Sequence, residues 1–244
     1  MLNIQNLSVE YKGNTALDHI SLQVPLGTCT GIIGPNGAGK STLMKSILEM
    51  VPTKSGSVTI NDIPVKDLKR KIAYVAQRSE IDLSFPITVF DTVLTGTYPN
   101  LKLFQKPRKK EKEKASQALH RLGLDEFKDR QISALSGGQL QRVFIARALA
   151  QEADFYFLDE PFVGIDMVSE KIIVKILEEL RQAGKTIIIV HHNLHNVKEY
   201  FDYLVILNKT LISANYTAES FTNDNLQKAY GDSLGDIVIK ESEV

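Results

Sequence analysis

At 244 residues, 43% of them hydrophobic and 24% charged, the chain is long enough to bury about 70–75% of its unfolded surface, so its core needs no disulfide or metal staple. Its 29 basic and 29 acidic residues cancel, which argues against a protein whose main business is bulk nucleic-acid binding. The single cysteine, Cys29, excludes an intramolecular disulfide and a cysteine-based zinc cluster, and within TCTGII it reads as a small buried core residue.

Taken in chain order, MLNIQNLSVEYKG carries neither a charged leader nor an apolar block, so no secretory signal is expected. No stretch approaches the ~20 apolar residues of a membrane helix. The expectation is a soluble intracellular protein that reaches a membrane only through a partner. The first 30 residues alternate apolar and polar positions around the turn signal KGN, which predicts antiparallel strands. TGIIG (30–34) is a short buried strand feeding a glycine loop; Leu43, Ile47 and Met50 then recur at helical spacing, with Pro52 as the stop. Strands return over 56–75, and from about 86 to 150 the pattern is helical, a lobe inserted in the α/β core. KPRKKEKEK (106–114) is a basic run whose plain reading is a solvated loop and helix start; contact with anionic lipid or a membrane partner is the alternative.

FYFLDE (155–160), TIIIVHH (186–192) and YLVILN (203–208) are continuous apolar runs, as expected of parallel strands covered on both faces. Between the first two, Ser169 is the expected N-cap of a helix carrying the stripe Ile173, Ile176, Leu177 and Leu180, with Gly184 closing its far end. Beyond Ser213 the chain is polar, with one short helix expected in TNDNLQKAYG and a frayed end. Repeated strand–helix–strand units predict an α/β fold built on a doubly wound sheet.

Two segments look made for phosphate. GPNGAGKST places Gly34, Pro35, Asn36, Gly37, Ala38, Gly39, Lys40, Ser41 and Thr42 between a strand and a helix and fits the phosphate-cradling loop G-x-x-x-x-G-K-[ST]. Its backbone N–H groups crowd around phosphates, Lys40 reaches the β and γ groups, and the Ser41 hydroxyl suits Mg²⁺. Asp159 and Glu160 end an apolar strand, where Asp159 would hold the metal and Glu160 would accept a proton from, or orient, the attacking water. About a hundred residues after the first cradle, LSGGQ opens a second helix with a serine and two glycines, another N-terminus suited to an anion.

GPNGAGKST, LSGGQ and FYFLDE, in that order and spacing, resemble the nucleotide-binding subunit of an ATP-binding-cassette (ABC) transporter, from Leu2 to about Gly231. The resemblance implies a P-loop NTPase of RecA-like type. Its core would take residues 1–85 and 151–215, with an N-terminal antiparallel β subdomain, a helical subdomain over 86–150, and a polar tail over 216–244. It also implies ATP and Mg²⁺ as cofactors and a head-to-tail pair, in which the LSGGQ helix of one copy closes over ATP held by the other. Residue by residue, Tyr11 matches the aromatic that stacks on adenine. Gln77 matches the glutamine that contacts Mg²⁺ and water and reports to the membrane subunit. Ser136, Gly137, Gly138 and Gln139 would meet the partner's ATP, and Asp166 matches the aspartate at the dimer seam. VGID stands where S-A-L-D is usual, keeping the carboxylate.

HHNLH (191–195) admits two readings. His191 and His195 could be zinc ligands spaced i, i+4 on a helix, but position 192 is His where a metalloprotease needs Glu. The family pattern places His192 at the switch histidine touching the γ-phosphate, with Asn193 where Asp is common, and leaves His191 and His195 structural or exposed. The segment 76–98 and the FVGID and VHHNL variants look most like bacterial importers of divalent metals, manganese before zinc or iron chelates. The implied machine has two copies of this chain, an integral membrane permease, an extracytoplasmic metal-capturing protein and no nucleic acid, with the chain held at the cytoplasmic face of the membrane. Rival readings are weaker. A GTP switch protein fails because LNKTL has Leu211 where the guanine-reading Asp belongs. A nucleoside kinase would need an acceptor pocket and lid that nothing resembles. A non-transport ABC ATPase would be marked by a soluble complex in place of a permease.

Overall fold

The computed structural model describes residues 1–231; the end of the predicted polar tail, 232–244, lies outside the described residues. β1 (Leu2–Tyr11) and β2 (Asn14–Val24) form a hairpin. It is closed by Lys12 and Gly13, both at positive φ (49° and 82°), the two-residue turn whose twist suits antiparallel strands. β3 (Cys29–Ile33) is buried at every position, Cys29 included, and runs into the glycine loop. α1 (Lys40–Ile47) buries Leu43, Met44 and Ile47. It ends sooner than its spacing predicts. Glu49 turns left-handed (φ 55°) and Met50 N donates to Lys45 O at 2.8 Å. This turn, not Pro52, stops the helix, and Met50 stands exposed outside it.

β4 (Ser55–Ile60) and β5 (Ile63–Pro64) meet at a second tight turn, Asn61–Asp62, again at positive φ (48° and 62°). A 3₁₀ stretch then leads to β6 (Ile72–Val75). α2 (Val89–Thr95), α3 (Lys109–Arg121) and α4 (Gly137–Ala150) fill the predicted helical segment. β7 (Phe155–Asp159) follows, and then α5 (Met167–Gln182). The N-cap of α5 is Asp166, not Ser169. The Asp166 carboxylate accepts from Ser169 N at 2.8 Å, and an ionised oxygen is the stronger acceptor for an orphan helix N–H. Gly184 closes the far end at φ 75°. β8 (Thr186–Val190), α6 (Val197–Tyr200), β9 (Tyr203–Asn208) and β10 (Thr210–Tyr216) follow. α7 (Thr217–Ser220) and α8 (Asn223–Tyr230) are the last elements of the described residues, whose polar part beyond Ser213 holds the end of a strand and two short helices, where one helix was expected.

The chain forms two compact units. In the first, Met1–Lys69 with the described part of Ile188–Val244, an antiparallel sheet has the order β2–β1–β4–β5. There β3 also pairs in parallel with β9, Thr30 opposite Tyr203 through Ile33 opposite Ile206, and β10 runs antiparallel to β9. His191 N donates to Ile32 O at 2.9 Å, placing the exit of β8 beside β3. In the second unit, Arg70–Ile187, β6 and β7 are parallel, α4 lies against β6, and α2, α3 and α4 pack on one another. Val89, Val93, Ala115, Leu119, Val143 and Phe144 are buried there. The architecture is mixed α/β, with an antiparallel β part and a group of helices, as the resemblance implies.

Candidate functional site

The glycine loop leaves β3 where a side chain will not fit. A Cβ on Gly34, at φ 154°, would lie 2.2 Å from Leu207 O in β9. The loop is tied further by Lys209 N donating to Ala38 O at 2.9 Å, and Asn36 and Gly37 form its exposed tip. Lys40 is 6% exposed, and its ammonium donates to Gly34 O (2.8 Å) and Pro35 O (2.9 Å). The loop thus holds a buried cation against neutral oxygens that phosphate oxygens can replace. Ser41 and Thr42, half-buried, begin α1. Tyr11 ends β1 opposite Asn14 with its ring partly exposed. One neighbour of the loop has no local sequence signal: Tyr230, the last residue of α8, lies beside the Gly34 backbone. Burial pushes its phenol up to about 12, with the Gly34 backbone pulling the other way.

At the carboxyl end of β7 the two acidic residues differ sharply. Asp159 is buried, whereas Glu160, just past the strand, is half-buried and sits at a left-handed φ of 49°, a conformation uncommon for a residue other than glycine. Gln77, just after β6, donates its side-chain amide to Glu160 Oε2 at 2.8 Å. The parallel register, Val75 opposite Leu158, explains why Gln77 and Glu160 meet. Tyr74 belongs to the same cluster. Its phenol is pushed up first by burial, then by the charges of Asp159 and Glu80. Sequence reading passed over it, because a strand tyrosine is ordinarily core.

The second glycine helix is α4. Ser136 is its N-cap. Ser136 Oγ accepts from Gln139 N (3.3 Å) and Gln139 Oε1 accepts from Ser136 N (2.9 Å), a reciprocal capping box. Gly138 is buried against the start of α5: a Cβ there would lie 2.3 Å from Asp166 Oδ2 and 2.4 Å from Ser169 Oγ. A Cβ on Gly137 would meet Arg78 Nη1 at 2.5 Å and Gly164 O at 2.7 Å. Within this chain Asp166 is bound twice to Ser169, by N and by Oγ, each at 2.8 Å, and those bonds hold its carboxyl below the usual range. Val163, Met167 and Val168, on the same segment, are exposed.

The three histidines of HHNLH part company. No helix spans 191–195, so the i, i+4 zinc reading loses its geometry, and among the described residues no three or more His, Cys, Asp or Glu side chains gather as a metal site. His191 is buried edge-on to Phe201 (5.5 Å between centroids); desolvation drives its pKa down to about 4, with His192 adding to the shift. His192 and His195 are exposed.

Comparison with known proteins gives these features a context. The model of the family described as ABC transporter matches residues 17–163. A manganese transport system ATP-binding protein, MntB, of Listeria innocua is 55% identical over 231 residues, covering 95% of this chain and 96% of that protein. A zinc transport system ATP-binding protein, TroB, of Treponema pallidum is 46% identical over 230 residues, covering 94% of this chain and 86% of that protein. Among solved structures, the dimeric bacterial ABC transporter cassette MJ0796 superposes with a TM-score of 0.79 at 26% identity, covering 88% of this chain and 98% of that one. With a glycine loop around a buried lysine, an acidic strand end and a capped LSGGQ helix already in place, the chain belongs to the ABC transporter family and is one of its nucleotide-binding ATPases.

Proposed function

We propose that this chain is the ATP-hydrolysing subunit of a bacterial importer of divalent metal, manganese first. In this reading it is held at the cytoplasmic face of the membrane by an integral permease and supplied by a metal-capturing protein outside. The observation that supports hydrolysis is the Gln77–Glu160 hydrogen bond, which holds a strand-end carboxylate and a polar reporter together. Gly34, Pro35, Asn36, Gly37, Ala38, Gly39 and Thr42 line the phosphate cradle, and the Tyr11 ring stacks on adenine. Lys40 exchanges its two carbonyls for the β and γ oxygens. Glu160 takes the proton of the attacking water, and the exposed His192 reaches the γ-phosphate. Ser41, Gln77 and Asp159 are the oxygen donors a hard cation such as Mg²⁺ prefers, so they fit it. When bound, Mg²⁺ neutralises charge on the phosphates.

Ser136, Gly137, Gly138 and Gln139 serve a second copy's ATP, with Asp166 at the seam. Support comes from the exposed apolar side chains Val163, Met167 and Val168, surface that a second copy would cover. The cargo rests on the manganese and zinc relatives. Reconstitution with the membrane permease that co-purifies with this chain should give ATP-driven Mn²⁺ uptake. Uptake of iron chelates without Mn²⁺ or Zn²⁺ would overturn the assignment. Ser136→Arg should abolish turnover; unchanged turnover would remove the paired-copy scheme.

A further inference from the structure

The basic run singled out in the sequence adjoins a feature no motif announces. Between α2 and α3 the chain makes a tight turn: Gln105 N donates to Lys102 O at 2.9 Å, and Lys102 N donates to Gln105 Oε1 at 3.2 Å. The two residues at its tip are Leu103 and Phe104, 84% and 95% exposed. Phe104 has φ 64°, a left-handed conformation that favours glycine or asparagine. A large aromatic is thus held where it fits poorly and touches almost nothing of its own chain. Six basic residues fall between 102 and 112 (Lys102, Lys106, Arg108, Lys109, Lys110 and Lys112), all exposed, against Glu111 within that span and Glu113 just beyond it, which lies 3.8 Å from Lys109 Nζ and leaves the patch net positive. Glu111 is committed to the helix start, its carboxylate accepting from Arg108 N at 2.8 Å. Arg108, Lys109 and Lys112 also line a shallow groove of about 600 Å³ beside the turn.

We infer that the 102–112 segment is an interfacial anchor for an anionic phospholipid surface, with Leu103 and Phe104 entering the headgroup boundary and the surrounding cations resting on lipid phosphates. The charge pattern selects this occupant. A protein socket for two apolar side chains would have to present carboxylates in register with six separate cations. A sheet of phosphates complements them in any register. Each basic side chain near such a surface is worth about fivefold in partitioning, and each large apolar side chain removed from water about tenfold or more. The anchor goes beyond attachment through a permease, which it would supplement.

The test is flotation of the purified chain with vesicles of phosphatidylglycerol in phosphatidylcholine, beside vesicles of phosphatidylcholine alone. Binding to the anionic vesicles is expected, falling steeply as salt is raised. Leu103→Ser with Phe104→Asn, asparagine being at ease at positive φ, should cut that binding at least about tenfold while leaving the melting temperature unchanged. Lys109→Glu with Lys110→Glu should cut it by a similar factor or more. Equal binding by wild type and the tip variant, or no preference for anionic vesicles, would overturn the inference. Loss of permease co-purification by the tip variant, without any vesicle binding by wild type, would overturn it too and assign the turn to a protein socket. Permease-coupled uptake that survives either result leaves the transport reading standing.

Discussion

Replacing Gly138 by alanine separates two accounts of the LSGGQ helix. By helix propensity alone, alanine near the start of α4 should stabilise the chain by up to about 1 kcal/mol. The structure opposes this, because the new methyl would lie 2.3 Å from Asp166 Oδ2, 2.4 Å from Ser169 Oγ and 2.9 Å from Ser169 Cβ. Relief requires moving the carboxylate that caps α5, at about 1 kcal/mol, together with overpacking of about 1–3 kcal/mol. After the propensity gain the net loss is about 1–3 kcal/mol, or roughly 2–12 °C in melting temperature for a chain of this size. Thermal unfolding of the isolated chain, without nucleotide, measures it. Adding Ser169→Ala removes one of the three close atoms and should recover part of the loss. A Gly138→Ala chain melting at or above wild type would refute the packing argument and leave the glycine to be explained by ligand contact alone.

Other expectations follow from the same geometry. Glu160→Gln keeps an oxygen to accept from Gln77, so folding and ATP binding should survive while steady-state hydrolysis falls by about 10²–10⁴; turnover within tenfold of wild type would remove Glu160 as the base. Gly34→Ala meets a backbone oxygen, which cannot swing aside, so fluorescent-nucleotide titration should show at least about a tenfold weaker affinity, or the variant should fail to fold. For His191, whose pKa falls from 6.5 in the unfolded chain to about 4 when folded, the unfolded state binds the extra proton between those values. Stability is therefore full above pH 6.5 and declines as pH falls towards 4, by up to about 3 kcal/mol. In His191→Phe, denaturant midpoints followed over that range should lose part of this acid limb.

The sequence made the fold readable wherever burial repeats along the chain. CTGII, FYFLD and TIIIV lie buried at every position, as continuous apolar runs predict for strands covered on both faces. GPNGAGKST and LSGGQ were legible because backbone chemistry demands glycine at fixed offsets from a strand or helix. Illegible were the features set by residues distant in sequence. Asp166 is the cap because α5 begins at Met167, ahead of its apolar stripe, which puts Ser169 N within reach of the carboxylate, and the crowding at Gly138 arises only once α4 and α5 are folded together. Tyr230 reaches Gly34 across nearly the whole chain, and the meeting of Gln77 with Glu160 depends on strand register. Met50 left its helix because Glu49 adopts a backbone conformation that apolar spacing does not encode.

The reciprocal cap at the start of α4 leaves an asymmetry in Ser136. Its oxygen spends a lone pair on Gln139 N, and a hydroxyl that accepts in this way still has its proton to give. Holding its own helix and the proposed greeting of an incoming oxyanion are therefore compatible tasks for one side chain, since they would use opposite poles of the same O–H. Aspartate would keep the first and repel the second, whereas alanine would forfeit both. Ser136→Asp beside Ser136→Ala thus gives a means of reading structural duty apart from electrostatic duty at a single atom.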